Sequence, residues 1–455
     1  MAYHRKGSAL RNAAIRGKRH RPSWRYGLIL LCLSGLLLAG TVAIYLMILR
    51  TSFDFPNFFV TASVFTLLVF LAILIVRYLF LMWFAFLDYL DPWVQGDPQF
   101  MPLVSIIVPA YNEERVIGAS LASLVSLHYP KYEVILVDDG STDDTYRRAL
   151  RWHGEHRGVK VKVMHQPNGG KAVALNTGIR HAHGEILVCV DADSQLTERA
   201  LFAMVQHFKD PAVGAVAGNV KARNRDRFLT ELQALEYIEG LNMVRRSQGF
   251  FRIVNIIPGP CGAFRRSAVG QVGGYDPNIF AEDCELTIKL LIQGWKVKYE
   301  GRAISYTEVP EGFKDLIKQR YRWTRGILQS LRKHHRYFTS IRGGIGTTFA
   351  LWYLAFESIL WPFMNVFGNA FLLFVAFAYG FSALLVFWWI QLTLLDLTLA
   401  LFCVAMERED LKLVLYSAFY RLWYILSLDV CKLLAALDEV RRASMVWGKA
   451  DRVGV

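Results

Sequence analysis

Two long apolar stretches near the amino terminus constrain most strongly what this chain can fold into. Residues 26–49 carry no charged side chain, and residues 58–87 carry only Arg77. Because a membrane-spanning helix needs roughly 20 apolar residues, each stretch is long enough to cross a bilayer. The first stretch starts too late and runs too long for a removable signal peptide. We therefore expect two transmembrane helices within residues 26–90.

Positive charge is concentrated at the amino terminus. Of the formal net charge of +14, residues 1–26 supply eight basic side chains and no acid. Because a basic flank beside a first span stays in the cytoplasm, we expect a cytoplasmic tail over residues 1–25 and a cytoplasmic location from residue 91 onward. The tail lacks interleaved aromatic residues, which disfavours nucleic-acid binding and favours the lipid bilayer as its partner. The six scattered cysteines form no CxxC motif, so we expect no zinc site or disulfide framework.

Residues 100–310 alternate between apolar strand patterns and helical patterns. Such alternation predicts an α/β, Rossmann-like domain whose sheet is mostly parallel, because parallel strands need crossover helices. Beyond residue 195 the alternation loosens, with a helix expected at 228–248 and a turn-rich passage at 256–280. The predicted strands lie at 103–109, 132–138, 159–164 and 185–191, with helices at 113–127, 142–153 and 171–182 between them.

The remainder of the chain is amphipathic and then apolar again. Residues 311–345 combine many basic side chains with spaced apolar ones, which predicts helices lying along a membrane surface. Residues 346–437 contain three apolar stretches, where we expect further transmembrane helices, and a tail follows over 438–455. Three crossings would place the basic end outside, against the positive-inside rule. Either one stretch lies on the interface, or the first crosses twice with a break at Trp361-Pro362.

Three acidic motifs follow successive predicted strands. They are Tyr111-Asn112-Glu113-Glu114, Asp138-Asp139-Gly140-Ser141 and Asp191-Ala192-Asp193. Ligands of open parallel sheets bind outside the carboxyl ends of the strands, so we expect these motifs to meet at one edge. A single Asp-x-Asp would equally suit a turn or a helix cap. Three carboxylate clusters together predict a metal-bound nucleotide diphosphate, because Mg²⁺ or Mn²⁺ bridges carboxylates to substrate phosphates.

Further candidates lie downstream, and each has a structural alternative. Lys171 opens a helix and could meet a diphosphate, although the full P-loop spacing is missing. Asp283 could cap a helix, or act as the base that takes a proton from an acceptor hydroxyl. Gln319, Arg322 and Trp323 share one helix face. Arg322 suits a phosphate and Trp323 a pyranose ring, whereas both could instead anchor the helix at the membrane interface.

Taken together, these motifs resemble those of the family 2 glycosyltransferases, in particular the membrane-embedded synthases of β-linked polysaccharides. The resemblance covers about residues 100–340 and extends to the flanking spans. The chain looks most like poly-N-acetylglucosamine synthases, within a group that includes chitin, hyaluronan and cellulose synthases. The motifs are PAYNEE at 109–114, VDDGSTD at 137–143, GGKAVALN at 169–176, DAD at 191–193, GPCGAFRRS at 259–267, AED at 281–283 and QRYRW at 319–323.

The resemblance implies a GT-A-type glycosyltransferase domain with a role for each matched acid. Asp283, beside Glu282, would be the catalytic general base. Asp191 and Asp193 would hold Mg²⁺ or Mn²⁺ on the diphosphate, and Asp139 would contact the uridine of a UDP-sugar.

The resemblance also implies residues for the rest of the donor and for the acceptor. Arg322 would bind the diphosphate, and Trp323 would stack beneath the terminal sugar of the growing polysaccharide. The loop that begins at Gly259 would face the acceptor. The other residues expected to bind substrate are Tyr111, Glu113, Lys171, Pro260, Cys261, Gln319 and Arg320.

The implied activity is that of a processive, inverting β-glycosyltransferase of the inner (plasma) membrane, with UDP-N-acetylglucosamine as the favoured donor. The polysaccharide would leave through the enzyme's own spans, and a small membrane subunit is a further candidate partner. Two alternatives stay open: another β-polysaccharide (hyaluronan, a β-glucan or a chitin oligosaccharide), or non-processive transfer to a lipid. A catalytically silent nucleotide-sugar sensor is disfavoured because Asp193, Asp283 and Arg322 are all present.

Overall fold

Membrane-type helices precede and follow a sheet-containing region in this chain. The structure, a computed structural model, describes residues 24–50, 58–90, 96–340, 343–379 and 383–443. Nearly all of the expected basic tail and most of the expected carboxyl-terminal tail lie outside the described residues. The helices are α1 (Trp24–Arg50), α2 (Phe58–Leu90), α3 (Ile117–Leu124), α4 (Thr145–Leu150), α5 (Lys171–His181), α6 (Ala200–Val205), α7 (Phe228–Glu236), α8 (Met243–Phe250), α9 (Arg266–Gln271), α10 (Glu282–Ile292), α11 (Phe313–Lys333), α12 (Ile345–Ala355), α13 (Trp361–Tyr379), α14 (Ala383–Glu407), α15 (Ser417–Phe419) and α16 (Leu426–Val440).

The strands of the described region form one sheet. They are β1 (Val104–Ala110), β2 (Tyr132–Asp139), β3 (Gly154–His156), β4 (Val159–Gln166), β5 (Ile186–Cys189), β6 (Gln195–Leu196), β7 (Val213–Ala222), β8 (Gly262–Arg265) and β9 (Lys296–Thr307). Their order across the sheet is β3-β4-β2-β1-β5-β8-β7-β9-β6.

Strand direction brings most carboxyl ends to one edge of the sheet. β4, β2, β1 and β5 are parallel neighbours. β8 lies antiparallel between β5 and β7, and two antiparallel steps restore the original direction. β7 and β9, which pair in parallel, therefore run the same way as the first four. Six strand ends thus face the edge where ligands of such sheets bind.

Helices cover both faces of the sheet, which explains why its central strands are buried throughout. Every residue of β1, β5 and β7 is buried. Alternate residues of a strand point to opposite faces. Ile106 accordingly packs in the core that includes α3, and Ile107 packs in the core that includes α5 and α10. This two-sided burial is typical of parallel sheets.

Several helices are suited to a membrane. In the described part of the chain, three are long and apolar enough to cross one: Thr61–Leu90, Ile345–Ala378 and Trp388–Glu407. The bent pair Leu411–Phe419 and Trp423–Val440, with 64° between its halves, would make a fourth if it formed one span. α1 is apolar over the shorter stretch Gly27–Val42. By length and hydropathy, this is a membrane protein.

The fold differs from the sequence-based expectations at several places, and the short strands β3 and β6 are among them. The passage 256–280 contains β8 and α9 instead of turns alone, and the unexpected strand β9 follows it. Charged residues on β9 hide its period of two, so the apolar pattern that marks a strand is missing. The expected break at Trp361-Pro362 does not divide the helix. A widened turn at Phe356–Leu360 precedes Pro362, and such turns accommodate a residue without an N–H, so this stretch forms one helix.

Candidate active site

The loops after β1 and β2 lie together at the shared edge of the sheet. Asn112, with φ of +53°, accepts a hydrogen bond from the Thr142 amide at 2.8 Å, and its own amide donates to Ser141 Oγ at 2.9 Å. The amide of buried Glu113 donates to Thr145 Oγ1 at 2.6 Å. Tyr111 is partly buried beside them. Hydrogen bonds therefore join the loops that carry the first two acidic motifs.

Asp139, the last residue of β2, organises the loop that leads into α5. Its buried carboxylate accepts hydrogen bonds from Gln166 Nε2 at 2.7 Å and from the Gly169 and Gly170 amides at 3.0 and 2.7 Å. Gly140 follows with φ of +74°, and a Cβ there would lie 2.7 Å from the Asn168 nitrogen. The turn requires glycine, and Asp139 fixes the loop whose end positions the next residue, Lys171.

Lys171 connects the Asp191-Ala192-Asp193 motif to Glu282 at the start of α10. Its Nζ lies 2.7 Å from Asp191 Oδ1 and 3.1 Å from Glu282 Oε1. Burial opposes the charge, but the carboxylates of Asp191, Glu282 and Asp283 together raise the pKa of Lys171 above its ordinary value. Lys171 therefore stays a cation at the first turn of α5, where an anionic ligand is also favoured by the helix amino terminus.

Asp191 and Asp193 flank buried Ala192 just beyond β5. Asp193 is buried, and its Oδ1 accepts hydrogen bonds from Ser194 Oγ at 2.9 Å and Thr307 Oγ1 at 3.3 Å. Burial raises the pKa of Asp191, which Lys171 opposes and Asp193 reinforces. A cation near Asp191 therefore favours its ionised form.

The donor set at this point fits a divalent cation. Gly259 keeps the space beside Asp191 open, since a Cβ there would lie 3.0 Å from Asp191 Oδ2. Among the described residues, no group of three or more His, Cys, Asp or Glu side chains could hold a metal by itself. Mg²⁺ and Mn²⁺ are typically held by one or two carboxylates together with substrate phosphates, so Asp191 and Asp193 are a sufficient protein contribution.

Asp283 lies in the first turn of α10 and shares the charge environment of Asp191. Its Oδ1 accepts a hydrogen bond from the Cys284 amide at 2.7 Å. Burial, and then the neighbouring Glu282, raise the pKa of Asp283 to about 6, while Lys171 lowers it. Because Asp191 also acts on this pKa, the two acids belong to one cleft. Helix capping was the alternative role for Asp283. The N-cap position of α10 is occupied by Ala281 instead, and no side-chain hydrogen bond from the described part of the chain caps this helix.

Cys261 and Arg320, like Glu113 and Asp139, are expected to bind substrate and have buried side chains. Cys261 is fully buried, with Sγ near Met204 Sδ and the Ala303 carbonyl. Arg320 is 3% exposed and donates from Nε and Nη2 to Glu236, at 3.1 and 2.6 Å. Both side chains are enclosed by the fold, and their contact with substrate stays a prediction.

The neighbouring candidates lie closer to the surface. Pro260 contributes its carbonyl to Ser305 Oγ at 3.0 Å, and Gln319 and Arg322 are partly buried. Trp323 packs partly buried against the core, with the Arg320 guanidinium 4.1 Å from its ring centroid. Arg322 and Trp323 therefore remain candidates for substrate contact.

The helix that carries these residues, α11, is held tightly from two sides. Gly326 lies against the start of α10, since a Cβ there would be 2.3 Å from the Ala281 nitrogen. On the other side, Tyr321 donates to Asp438 at 2.7 Å, and Arg325 pairs with Glu439 at 2.8 Å. The carboxyl-terminal helix α16 thus positions α11 beside the acid at position 283.

Sequence reasoning missed three residues that support the site: Ser194, Thr307 and Glu236. Ser194 directly follows the Asp-x-Asp motif and could have been recognised by position. Thr307 and Glu236 come from distant elements, and only the fold brings them to Asp193 and Arg320.

Comparisons with known proteins agree with this geometry. Residues 105–273 match the family model described as Glycosyl transferase family 2. A poly-β-1,6-N-acetyl-D-glucosamine synthase of Staphylococcus epidermidis is 29% identical over 79% of this chain and 90% of its own length. The synthase of the same name from Staphylococcus aureus (strain COL) is 35% identical over 57% of this chain and 63% of its own length.

A solved structure extends the likeness to the membrane helices. The mannosyltransferase PcManGT from Pyrobaculum calidifontis, in complex with GDP-Man and Mn²⁺, aligns with a TM-score of 0.60 at 25% identity. The alignment covers 90% of this chain and 100% of that one. The fold and the acidic cleft define a GT-A-type glycosyltransferase. More particularly, residues 105–273 match glycosyltransferase family 2, and the chain is similar to poly-β-1,6-N-acetyl-D-glucosamine synthases.

Proposed function

We propose that this enzyme is a processive, inverting β-glycosyltransferase that polymerises the sugar of UDP-N-acetylglucosamine and passes the product through its own membrane helices. The observation that carries the proposal is the single cleft in which Lys171 joins Asp191 to Glu282, next to Asp283. It combines a site for an activated diphosphate with one base. The donor is supported by the name of the Staphylococcus relatives.

The proposal assigns the donor to the Asp191 side of the cleft. Asp191 and Asp193 would hold Mg²⁺ or Mn²⁺, which when bound neutralises the diphosphate and so improves it as a leaving group. Use of a divalent cation is supported by the Mn²⁺ in the mannosyltransferase structure. Lys171 would turn from Asp191 toward a diphosphate oxygen, and Arg322 would add a second cationic contact.

Asp283 would act as the general base. Its carboxylate takes the proton of an acceptor hydroxyl, whose oxygen then forms a bond to the anomeric carbon of the donor sugar. The bond from that carbon to the diphosphate breaks, the electron pair leaves with UDP, and attack from the opposite face inverts the configuration. A pKa of about 6 suits this task, because Asp283 is ionised at neutral pH and is more basic than an ordinary aspartate.

The acceptor is assigned to Trp323 and to the path into the membrane helices. Trp323 offers an aromatic face to a sugar ring, as expected for this position. Buried polar groups continue within the helical bundle, where Arg421 pairs with Asp396 and Asn365 donates to Asp429 at 2.7 Å. Ionisable residues at such depth commonly line the route of a polar substrate, which supports export of the product.

The proposal also fixes the arrangement of the chain. Residues 100–310 would form the catalytic domain on the cytoplasmic side of the inner (plasma) membrane. Residues 26–90 and 346–437 would form the membrane part, and residues 311–345 would connect the two at the surface.

A second candidate function is transfer of a single sugar, with GDP-mannose as donor. It is favoured by the TM-score of 0.60 to the mannosyltransferase over that chain's whole length.

One experiment separates the two candidates. Purified protein in lipid nanodiscs receives UDP-N-acetylglucosamine, UDP-glucose, UDP-glucuronate or GDP-mannose with Mn²⁺, and both nucleotide release and product length are measured. We expect long products from UDP-N-acetylglucosamine alone. Single-sugar products, or turnover of GDP-mannose only, would refute the proposal. Asp283→Asn serves as the inactive control that should still bind UDP.

A further inference from the structure

A second polar cavity lies beside the cleft, where the sheet meets the carboxyl-terminal end of α14. Its volume is about 380 Å³, within the range of small-molecule sites. Its polar lining consists of Gln195, Lys221, Arg223, Arg225, Tyr306 and Glu409. None of these residues belongs to the cleft described above.

The register of the sheet explains why these side chains meet. Lys221 of β7 pairs with Tyr306 of β9, and Tyr306 pairs with Gln195 of β6. Directly paired residues of neighbouring strands point to the same face. Arg223 continues this row, because its amide donates to the Thr307 carbonyl at 2.9 Å and it lies two residues after Lys221. The spacing Lys-x-Arg-x-Arg over 221–225 thus places three cations on one face.

Charge pairing leaves one of the three cations uncommitted. Glu409 binds Lys221 Nζ at 2.8 Å and Arg225 Nη1 at 2.7 Å. The partly buried Arg223 side chain forms no hydrogen bond or ion pair with any residue that the structure describes, and neither do the side chains of Gln195 and Tyr306. A guanidinium that lines the same cavity as two hydrogen-bonding side chains is suited to recognise an oxyanion.

The depth of the cavity indicates where that anion comes from. Glu409 lies two residues after the end of the candidate span Trp388–Glu407. On the next turn, Leu411 and Leu415 are 64% and 71% exposed, as expected for side chains that face lipid. A cavity at the end of a span, beside lipid-facing leucines, is level with the phosphates of the bilayer.

We propose that this cavity binds the phosphoryl headgroup of an anionic membrane lipid through Arg223, with Tyr306 and Gln195 donating hydrogen bonds. The site has a route to catalysis. Gln195 lies two residues after Asp193, and Thr307, next to Tyr306, donates to Asp193. A bound headgroup therefore braces the two strand ends that hold Asp193, and anionic lipid activates the enzyme.

Binding is tested on the full-length protein in detergent, without nucleotide sugar, so the result is independent of the proposed function. Thermal unfolding is followed while short-chain phosphatidylglycerol, phosphatidylcholine, inorganic phosphate or a soluble chitooligosaccharide is titrated. We expect phosphatidylglycerol to stabilise the wild type most strongly. Arg223→Gln should weaken its apparent affinity by about tenfold or more, since hydrogen bonds to charged groups contribute at least that factor. Arg223→Lys should be intermediate because the charge remains and the fork is lost.

The matched control is Arg227→Gln, which removes an exposed cation four residues away that pairs with Glu311 outside the cavity. This variant should bind phosphatidylglycerol like the wild type. Equal binding by Arg223→Gln and Arg227→Gln would overturn the proposal, as would stabilisation by inorganic phosphate or by the chitooligosaccharide alone. In vesicles, phosphatidylglycerol should raise the turnover of the wild type and of Arg227→Gln, but not of Arg223→Gln. An identical lipid response in all three would likewise overturn it.

Discussion

The ionisation of Asp283 should set how the activity of this enzyme depends on pH. Burial and the Glu282 carboxylate raise the pKa of Asp283 to about 6. A general base works only in its ionised form, so kcat/KM should rise with pH through this value. About half of the molecules would have an ionised base at pH 6, and only about one in eleven at pH 5, which predicts roughly a fivefold drop in kcat/KM.

Two substitutions should move the midpoint of this rise in kcat/KM, the acid limb of the pH profile, in opposite directions. Glu282→Gln removes the largest source of the shift after burial, so the midpoint should fall below 6 toward the ordinary value of 3.8. Lys171→Met removes the cation that lowers the pKa of Asp283, so the midpoint should rise. Both variants lose contacts in the cleft and should turn over more slowly, which makes the position of the limb the informative quantity.

The assay is release of UDP from UDP-N-acetylglucosamine at low donor concentration, measured from about pH 5 to about pH 8 with constant free Mn²⁺, because kcat/KM reports the pKa values of the free enzyme. Protein stability is checked at each pH by thermal unfolding, so that loss of fold is not mistaken for loss of ionisation. An acid limb that stays at the same pH in both variants would refute the assignment of Asp283 as the titrating base.

Three further predictions test the surroundings of the base. Arg320→Gln should lower the free energy of unfolding by about 3–5 kcal/mol in denaturation experiments, because it removes the cationic partner of the Glu236 carboxylate and leaves only the Tyr424 hydroxyl donating to it among the described residues; unchanged stability would contradict the buried pair. Gly259→Ala should slow transfer by up to about 100-fold, because its Cβ would lie 2.8 Å from Lys171 Nζ. Turnover equal to that of the wild type would show that the loop moves to accommodate the methyl group and would contradict this prediction. Chelation should stop UDP release and Mn²⁺ should restore it in the wild type, but Asp193→Asn should stay inactive with Mn²⁺.

The strands that carry the acidic motifs could be predicted because their signals are local. An apolar run followed directly by carboxylates marks the end of a buried strand, and the expected strand 132–138 is one residue shorter than β2. The contacts of Asp139 could not be predicted in the same way. Its partners lie about thirty residues further along the chain, and only the crossover through α4 and the parallel pairing of β4 with β2 bring them back.

The direction of individual side chains was the least predictable part of the site. Arg320 and Arg322 belong to one motif, but residues two apart on a helix point about 200° away from each other. The two side chains therefore point to different sides of the helix, and Arg320 turns toward the carboxylate of Glu236. Cys261 is a comparable case, because motif membership does not reveal that its sulfur points into the core.

The contact between Gly326 and Ala281 has a mechanical consequence. Because Gly326 has no side chain, its backbone packs directly against Ala281, so these two segments, and Asp283 and Trp323 with them, should move together. If the polymer advances by one unit after every addition, the movement that advances it should not occur between α10 and α11. A tethering cross-link between α10 and α11 should consequently leave chain extension intact, whereas one between α11 and the membrane bundle should stall it.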